Sequence, residues 1–454
     1  MRARHFRWFG LTACLASLLA VAGCQGAPSH SVLLIVVDTL RADHLGVYGY
    51  DRPTSPHLDA WAEGGAVFEQ AFATSPWTLP SVGTIFTGQL PSRHLAGTFA
   101  RGPDGRPPDR SQFGQLDASL PTLAEAAAAR GFATGAVINN AFLGPRFGLD
   151  RGFETYDFSP AGNRRLRRAD VVVDRALSWL GDRVDAPFFL VLHLFDPHMQ
   201  YDPPAATRGR FSSALPDTEL PRVTERIRAA LGRGDVFDRD YLVALYDEEV
   251  LFVDQQLGRL FEWLASTDRA NDMVVMLTSD HGEELFDHGG FEHGHTAYNE
   301  LLRVPLVVRG PGVEAGRHAV PVSGLDLFPT LLEALGHAAA DDLPGRSLWP
   351  ALAGGGLIDR PLFAERTLYG AERQAVVSWP YKMTRRSDTD EVQLFDLSAD
   401  AGERHDLASA RPEDVERLHD VLQTALAAAS GGTAAEVDLD DETLEALRSL
   451  GYVR

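Results

Sequence analysis

The stretch Ser31-Val32-Leu33-Leu34-Ile35-Val36-Val37-Asp38 decides the fold. Six apolar residues follow Ser31 without a break, and Val32, Ile35, Val36 and Val37 are β-branched. A strand with one wet face would show a polar residue at every second place, so this run reads as a strand buried on both faces. Working outward, Pro121 to Arg130 reads as a helix closed by Gly131 and followed by a strand from Phe132 to Ile138. The alternation recurs, with a helix from about Ala169 to Leu180 before a strand at Phe188 to His193, and a long amphipathic helix from about Tyr241 to Leu264 before a strand at Met273 to Thr278. Strands and helices in turn predict an α/β fold, a parallel sheet covered by helices. In such sheets chemistry gathers beyond the carboxyl ends of the strands. Polar residues stand there in three places: Asp38, then His193 with Asp196 and His198, then Asp280 with His281.

Composition narrows the function. The 454 residues carry a formal net charge of −21, which disfavours a nucleic-acid binder, and 44% hydrophobic content excludes a disordered chain or a multi-span membrane protein. Two cysteines cannot make a disulfide framework. Residues 1–23 hold Arg2, Arg4 and Arg7 and no acid, then an apolar run from Trp8 to Gly23, the layout of a secretory signal peptide and too short for a spanning helix. The run ends Val21-Ala22-Gly23-Cys24, which resembles the lipobox of bacterial lipoproteins. The expectation is an exported chain anchored to the membrane through lipid on Cys24, at the periplasmic face of the outer membrane if the source is Gram-negative, where Gln25 would suit sorting. Cys14 leaves with the signal. Residues 24–30 read as a linker, 31–360 as the catalytic domain, and 361–454 as a smaller C-terminal α+β unit. That unit has short strands near Ala375 to Trp379 and Val392 to Leu397, a helix near Pro412 to Ala427, and a last helix in Asp438 to Arg454 that docks on the surface or recruits a partner.

Histidine placement is uneven. Residues 193–198 and 281–295 hold 6 of the 15 histidines, accompanied by Asp196, Asp280, Asp287 and Glu292, and imidazole with carboxylate is a usual ligand set for Zn, Mn or Fe. Asp38 is either the N-cap of the next segment or a ligand. Thr78-Leu79-Pro80-Ser81 reads as a helix start, so Thr78 is a cap or a hydroxyl placed where free N–H groups favour an anion. A metal beside it would lower the hydroxyl's pKa and make it a nucleophile. Asp287 and His288 could serve a second metal or be loop charges. The basic run Arg164 to Arg168 could meet anionic headgroups or begin a solvated helix, and Trp77 could be core or pocket wall.

Together, Leu33 to Asp43, Ser75 to Gly88, Asp196 to Pro204, Thr278 to Glu284, Arg303 to Leu306 and Leu394 to Leu397 resemble the sulfatase family of the alkaline phosphatase superfamily, in the family's order along residues 31–454. The resemblance implies a three-layer α/β/α sandwich around a mostly parallel, alkaline-phosphatase-like sheet. It implies one divalent metal ion (Mn, Zn, Ca or Mg) on Asp38, Asp280 and His281, with Thr78 as nucleophile and a metal contact. His198 falls where the family has a histidine at the transferred group, and His295 is the candidate general acid with His293 as its rival. The departures are specific. Sulfatases carry Cys or Ser, converted to formylglycine, where this chain has Thr78, which cannot give that aldehyde. Their Arg is Val82 here, their second acid is Thr39, and their Lys is Gly294. The expectation is therefore attack by Thr78 on a phosphodiester, phosphonate or related phosphate ester, with sulfuric esters less suited. The substrate would be a small anionic ester or an envelope glycan or lipid. A phosphoglycerol- or phosphoethanolamine-type transferase and a catalytically degenerate anion-binding lipoprotein are the alternatives.

Overall fold

A computed structural model describes residues 30–99, 113–159, 167–183, 186–214, 239–267, 272–338, 343–429, 432, 434–437, 439–449 and 452. The signal-like segment, Cys24 and Gln25, and Arg164 to Leu166 of the basic run, lie outside them. Eight strands form the central sheet: β1 (Ser31–Val37), β2 (Ala66–Phe68), β3 (Ala133–Ile138), β4 (Thr155–Phe158), β5 (Phe188–Leu194), β6 (Met273–Ser279), β7 (Leu306–Arg309) and β8 (Gly316–His318). Their order is β8-β2-β7-β6-β1-β5-β3-β4, so the run Ser31–Val37 lies inside the sheet. It pairs in parallel on both sides, Leu34 standing opposite Val191 of β5 and Met276 of β6. Only β7 runs against its neighbours, β6 and β2, so the sheet is mostly parallel.

Period-two alternation sends the residues of β1 into two cores. Val32, Leu34 and Val36 pack with Val191 and Met276 on one face, while Leu33, Ile35 and Val37 pack with Leu190 and Leu277 on the other. Each such side chain, taken fully from water, contributes on the order of 2 kcal/mol, which is why no polar residue interrupts the run. Helices α1 (Thr78–Thr87) and α2 (Leu123–Ala129) cover the first face. The second face is covered by α3 (Ala169–Gly181) and α4 (Arg239–Ser266), with Val172, Ala176, Leu242 and Leu257 inward. Thr122 and Glu125 form a capping box, which fixes the start of α2 just after Pro121. On the first face α5 (Leu327–Ala334) adds Leu331, and the result is a three-layer α/β/α sandwich.

The smaller C-terminal sheet is antiparallel, β9 (Leu362–Ala364), β10 (Arg373–Ser378), β11 (Tyr381–Arg386) and β12 (Val392–Asp396) in that order. On one side Leu418 and Leu422 of α6 (Pro412–Ala429) pack against Val376, Met383 and Leu394. On the other, Ala375, Val377 and Phe395 join the first main core, so the two units share apolar packing. The last helix, α7 (Asp441–Ser449), buries Ala446 and Leu447 in that same core, which is the docked arrangement. Among the described residues no helix is long and apolar enough to cross a membrane.

Candidate active site

The carboxyl ends of β1 and β6, adjacent and parallel, bring Asp38 and Asp280-His281 together. Asp38, Asp280 and His281 are the one group of ligand-competent side chains that converges among the described residues, and all three are fully buried. His281 Nε2 lies 3.6 Å from Asp38 Oδ1 and 3.6 Å from Asp280 Oδ2. The ring is oriented by Nδ1, 2.8 Å from the Gly282 carbonyl, so Nδ1 carries the proton and the Nε2 lone pair faces the same space as the carboxylate oxygens. Ser279 Oγ ties the two loops, donating to the His281 carbonyl (2.6 Å) and accepting from the Leu40 N–H (3.0 Å). Gly282 is needed by close approach, since a Cβ there would stand 2.0 Å from the Glu300 carbonyl oxygen.

Buried Asp38 Oδ1 and Asp280 Oδ2 accept no hydrogen bond. Burial, then the neighbouring charge of Asp280, raises the Asp38 carboxyl well above its ordinary range. Orphaned carboxylate oxygens facing an imidazole lone pair suit a divalent cation, because it alone satisfies all three donors at once. His193 stands beside them, Nε2 at 3.7 Å from Asp38 Oδ2 and 4.0 Å from Asp280 Oδ2, with neither ring nitrogen hydrogen-bonded.

Thr78 opens α1, and Trp77 before it gives no side-chain cap, which leaves the Thr78 and Leu79 N–H groups without a side-chain acceptor from the cap position. Thr78 Oγ1 is 3.2 Å from His281 Nε2. Asn140, beyond the carboxyl end of β3, donates from Nδ2 to Asp38 Oδ2 at 2.7 Å and stands 3.4 Å from Thr78 Oγ1. Ser81 Oγ donates to the Asp280 carbonyl at 2.6 Å, tying α1 to the ligand loop. Asn140 escaped the sequence reading although Asn139-Asn140 follows an apolar strand, the same signal that marked Asp38. Trp77 is core, packed on Phe113 and Phe142 with its indole N–H on the Arg366 carbonyl.

The other histidines divide. The ring of His293 is 4.5 Å from that of His281 and 5.0 Å from that of His198. His293 Nδ1 is held by Glu283 Oε1 at 2.8 Å, and His198 Nδ1 donates to the Met199 carbonyl at 2.5 Å. Burial, with His293 beside it, holds the His198 imidazole down to about 3. His295 points elsewhere: its Nε2 is bonded to Glu284 at 2.7 Å, so of the two rivals for general acid the structure brings His293 to the cluster. Asp287 is paired with Arg41 and Arg239, and His288 is bonded to Glu300 and stacked on Tyr298, so neither is free for a second metal. Asp196 Oδ2 accepts from the Ala169 N–H at the start of α3, and the described end of the basic run is paired, Arg167 with Asp157 and Arg168 with Asp202.

A family model described as Sulfatase matches residues 30–337. The chain belongs to the sulfatase family. Members of this family, within the alkaline phosphatase-like superfamily, are ester hydrolases that use a divalent metal. Arylsulfatase K of Xenopus laevis is 24% identical over 434 residues, covering 81% of this chain and 77% of that protein. The multifunctional alkaline phosphatase superfamily protein PehA of Trinickia caryophylli is 33% identical over 216 residues, 40% of each chain. Among solved structures, the phosphonate monoester hydrolase of Agrobacterium radiobacter overlays with a TM-score of 0.69 at 22% identity, covering 88% of this chain and 96% of that one, a likeness of fold. Within the sulfatase frame, Val82 is buried in the core and brings no charge. Gly294 has φ 80° and its carbonyl accepts from the Leu368 and Tyr369 N–H groups, so it serves a turn. Thr39 is also left-handed at φ 56°, with its buried Oγ1 unbonded.

Proposed function

We propose that this sulfatase-family chain hydrolyses a phosphodiester, phosphonate or related phosphate ester with Thr78 as nucleophile. The observation that carries the reading is the Thr78 hydroxyl at an uncapped helix start, 3.2 Å from the nitrogen that completes the Asp38, Asp280, His281 group. Oxidation of a threonine side chain gives a ketone, not an aldehyde, so the hydroxyl itself must react. An imidazole among carboxylates favours Zn or Mn over Ca or Mg. When bound there, a divalent cation neutralises the carboxylates, polarises the ester oxygen and lowers the pKa of the neighbouring hydroxyl.

The chain's own residues divide the remaining work. The Thr78 and Leu79 N–H groups at the start of α1 take the non-bridging oxygens of the substrate. Thr78 Oγ1 releases its proton to solvent and attacks phosphorus in line, forming a P–O bond as the ester P–O bond opposite breaks, and the leaving oxygen takes a proton from His293, oriented by Glu283. Water then attacks phosphorus and gives a proton back to His293, the P–O bond to Thr78 breaks, and the threonine oxygen takes up a proton from solvent to restore the hydroxyl. With the family's Arg and Lys positions filled by Val82 and Gly294, recognition of the anion falls to those amides and the histidines. The same proposal places the mature enzyme outside the cytoplasm, held to the membrane by lipid on Cys24.

The test is turnover of aryl phosphate monoester, phosphodiester, phosphonate monoester and sulfate ester by residues 25–454, chelated and then resupplied with Zn or Mn. Metal-dependent hydrolysis of the phosphodiester or phosphonate, lost in Thr78→Ala, is the expected result. Hydrolysis of the sulfate ester alone would contradict the assignment of Thr78, and silence on all four would move the weight to phospho-group transfer.

A further inference from the structure

The described residues end at Tyr452, three positions beyond α7, and its side chain is buried not in the C-terminal unit but in the catalytic site. Its hydroxyl lies 2.6 Å from His198 Nε2 and 2.8 Å from His293 Nε2, spanning 254 and 159 residues of sequence. One hydroxyl thus joins two imidazoles that come from different strand ends. The ring is seated edge-on against Phe142, 4.8 Å between centroids, and Phe142 follows Asn140, the residue that holds Asp38 and reaches Thr78. The tail is anchored for this. The Tyr452 N–H bonds the Leu447 carbonyl at 2.9 Å, Leu447 and Ala446 are in the main core, Arg146 pairs with Asp440, and Val437 pairs with Phe113.

A histidine whose Nδ1 is fixed can still rock about its χ torsions unless Nε2 is held too. His198 is held at Nδ1 by Met199 and His293 by Glu283, and Tyr452 supplies the second point for both. A hydroxyl with one proton to give and two lone pairs can bond both rings at once, which a phenylalanine cannot do. We propose that Tyr452 is a positioning residue of the active site: the C-terminal tail completes the catalytic centre by fixing His198 and His293 through one shared hydroxyl. This rests on the ester-hydrolase reading for its kinetic consequence, but not for the contact itself.

The experiment compares the full chain with Tyr452→Phe, which keeps the ring on Phe142 and removes only the hydroxyl. Kinetics on the best aryl ester are expected to show kcat lower by about 10-fold or more with KM within about 2-fold, since a misaligned proton donor slows the chemical step without loosening the substrate. Histidine-ring ¹⁵N spectra, assigned with His198→Gln and His293→Gln, are expected to show the Nε2 signals of those two residues shifted and the others in place. An unchanged kcat, or ring signals that do not move, would overturn the proposal. A rise in kcat/KM would mean that the tail obstructs the site, and would overturn it as well. If the parent chain turns over no ester, the hydrolase reading fails on its own, and the ring spectra alone decide whether Tyr452 holds the two histidines.

Discussion

Two buried carboxylate sites of this molecule are built on opposite terms. Asp247, on α4, is fully buried with both oxygens occupied: Oδ1 by His44 Nδ1 at 2.6 Å, Oδ2 by the Tyr50 hydroxyl at 2.6 Å and Arg52 Nη1 at 2.8 Å. Asp38 and Asp280 are equally buried, yet each leaves an oxygen without a partner, facing the other and His281. A buried charge that is satisfied by its own chain is a strut, whereas one left unsatisfied marks a place for something the chain does not carry. The contrast separates structure from chemistry more cleanly than residue type does, since both sites combine aspartate with histidine.

The comparison can be broken at several points. The largest effect is expected from Asp280→Ala, which should remove the metal and lower turnover by roughly 10⁴-fold, about 5.5 kcal/mol of barrier, as measured by metal content and kcat/KM. Its melting temperature in the absence of metal should hold or rise, because a repelling carboxylate has gone. Asp247→Ala should do the reverse, with stability falling by roughly 3 kcal/mol by urea titration as Arg52, Tyr50 and His44 lose their partner, and with activity per folded molecule retained. If the two variants behaved alike, the distinction would be wrong. Asn140→Ala removes the Nδ2 donor to Asp38 Oδ2 and should weaken metal affinity by about 10- to 100-fold, read by competition with a chelator, with the fold intact.

The smallest effect concerns His295. Burial pushes its imidazole down, but the Glu284 hydrogen bond and charge outweigh it and raise the pKa above the ordinary 6.5. A raised folded value means that the pair's stabilisation is complete below the unfolded pKa and fades as pH rises through the folded one. Melting temperatures of the parent and Glu284→Gln should therefore differ most near about pH 5.5 and converge by about pH 9. A gap that widens with pH would show that the Glu284–His295 pair is not what holds this loop.

What the sequence disclosed follows from how far each signal is local. The uninterrupted run of β1, the helix–strand alternation and the polar residues at strand ends are properties of short windows, and they singled out Asp38, Asp280 and His281, while the role of Thr78 came from the family resemblance. Strand β11 was missed because its pattern is broken by Lys382, which is buried and paired with Glu403 at 2.8 Å, a compensation that no window around residue 382 reveals. β2, β4 and β7 are short and lack a helix-to-strand rhythm of their own. Choosing between His293 and His295 needed the turn at Gly294, which sends neighbouring side chains to different partners, Glu283 and Glu284. Tyr452 was invisible as a site residue because its relation to His198 spans most of the chain.

The central claim is that the unsatisfied carboxylates hold a cation beside Thr78. Its most direct test is metal content by plasma mass spectrometry of the parent chain and of Asp280→Ala, each dialysed against a mixture of Zn and Mn and then desalted. One metal per parent chain and none in the variant is the expected result. Equal content in both, or none in either, would contradict it.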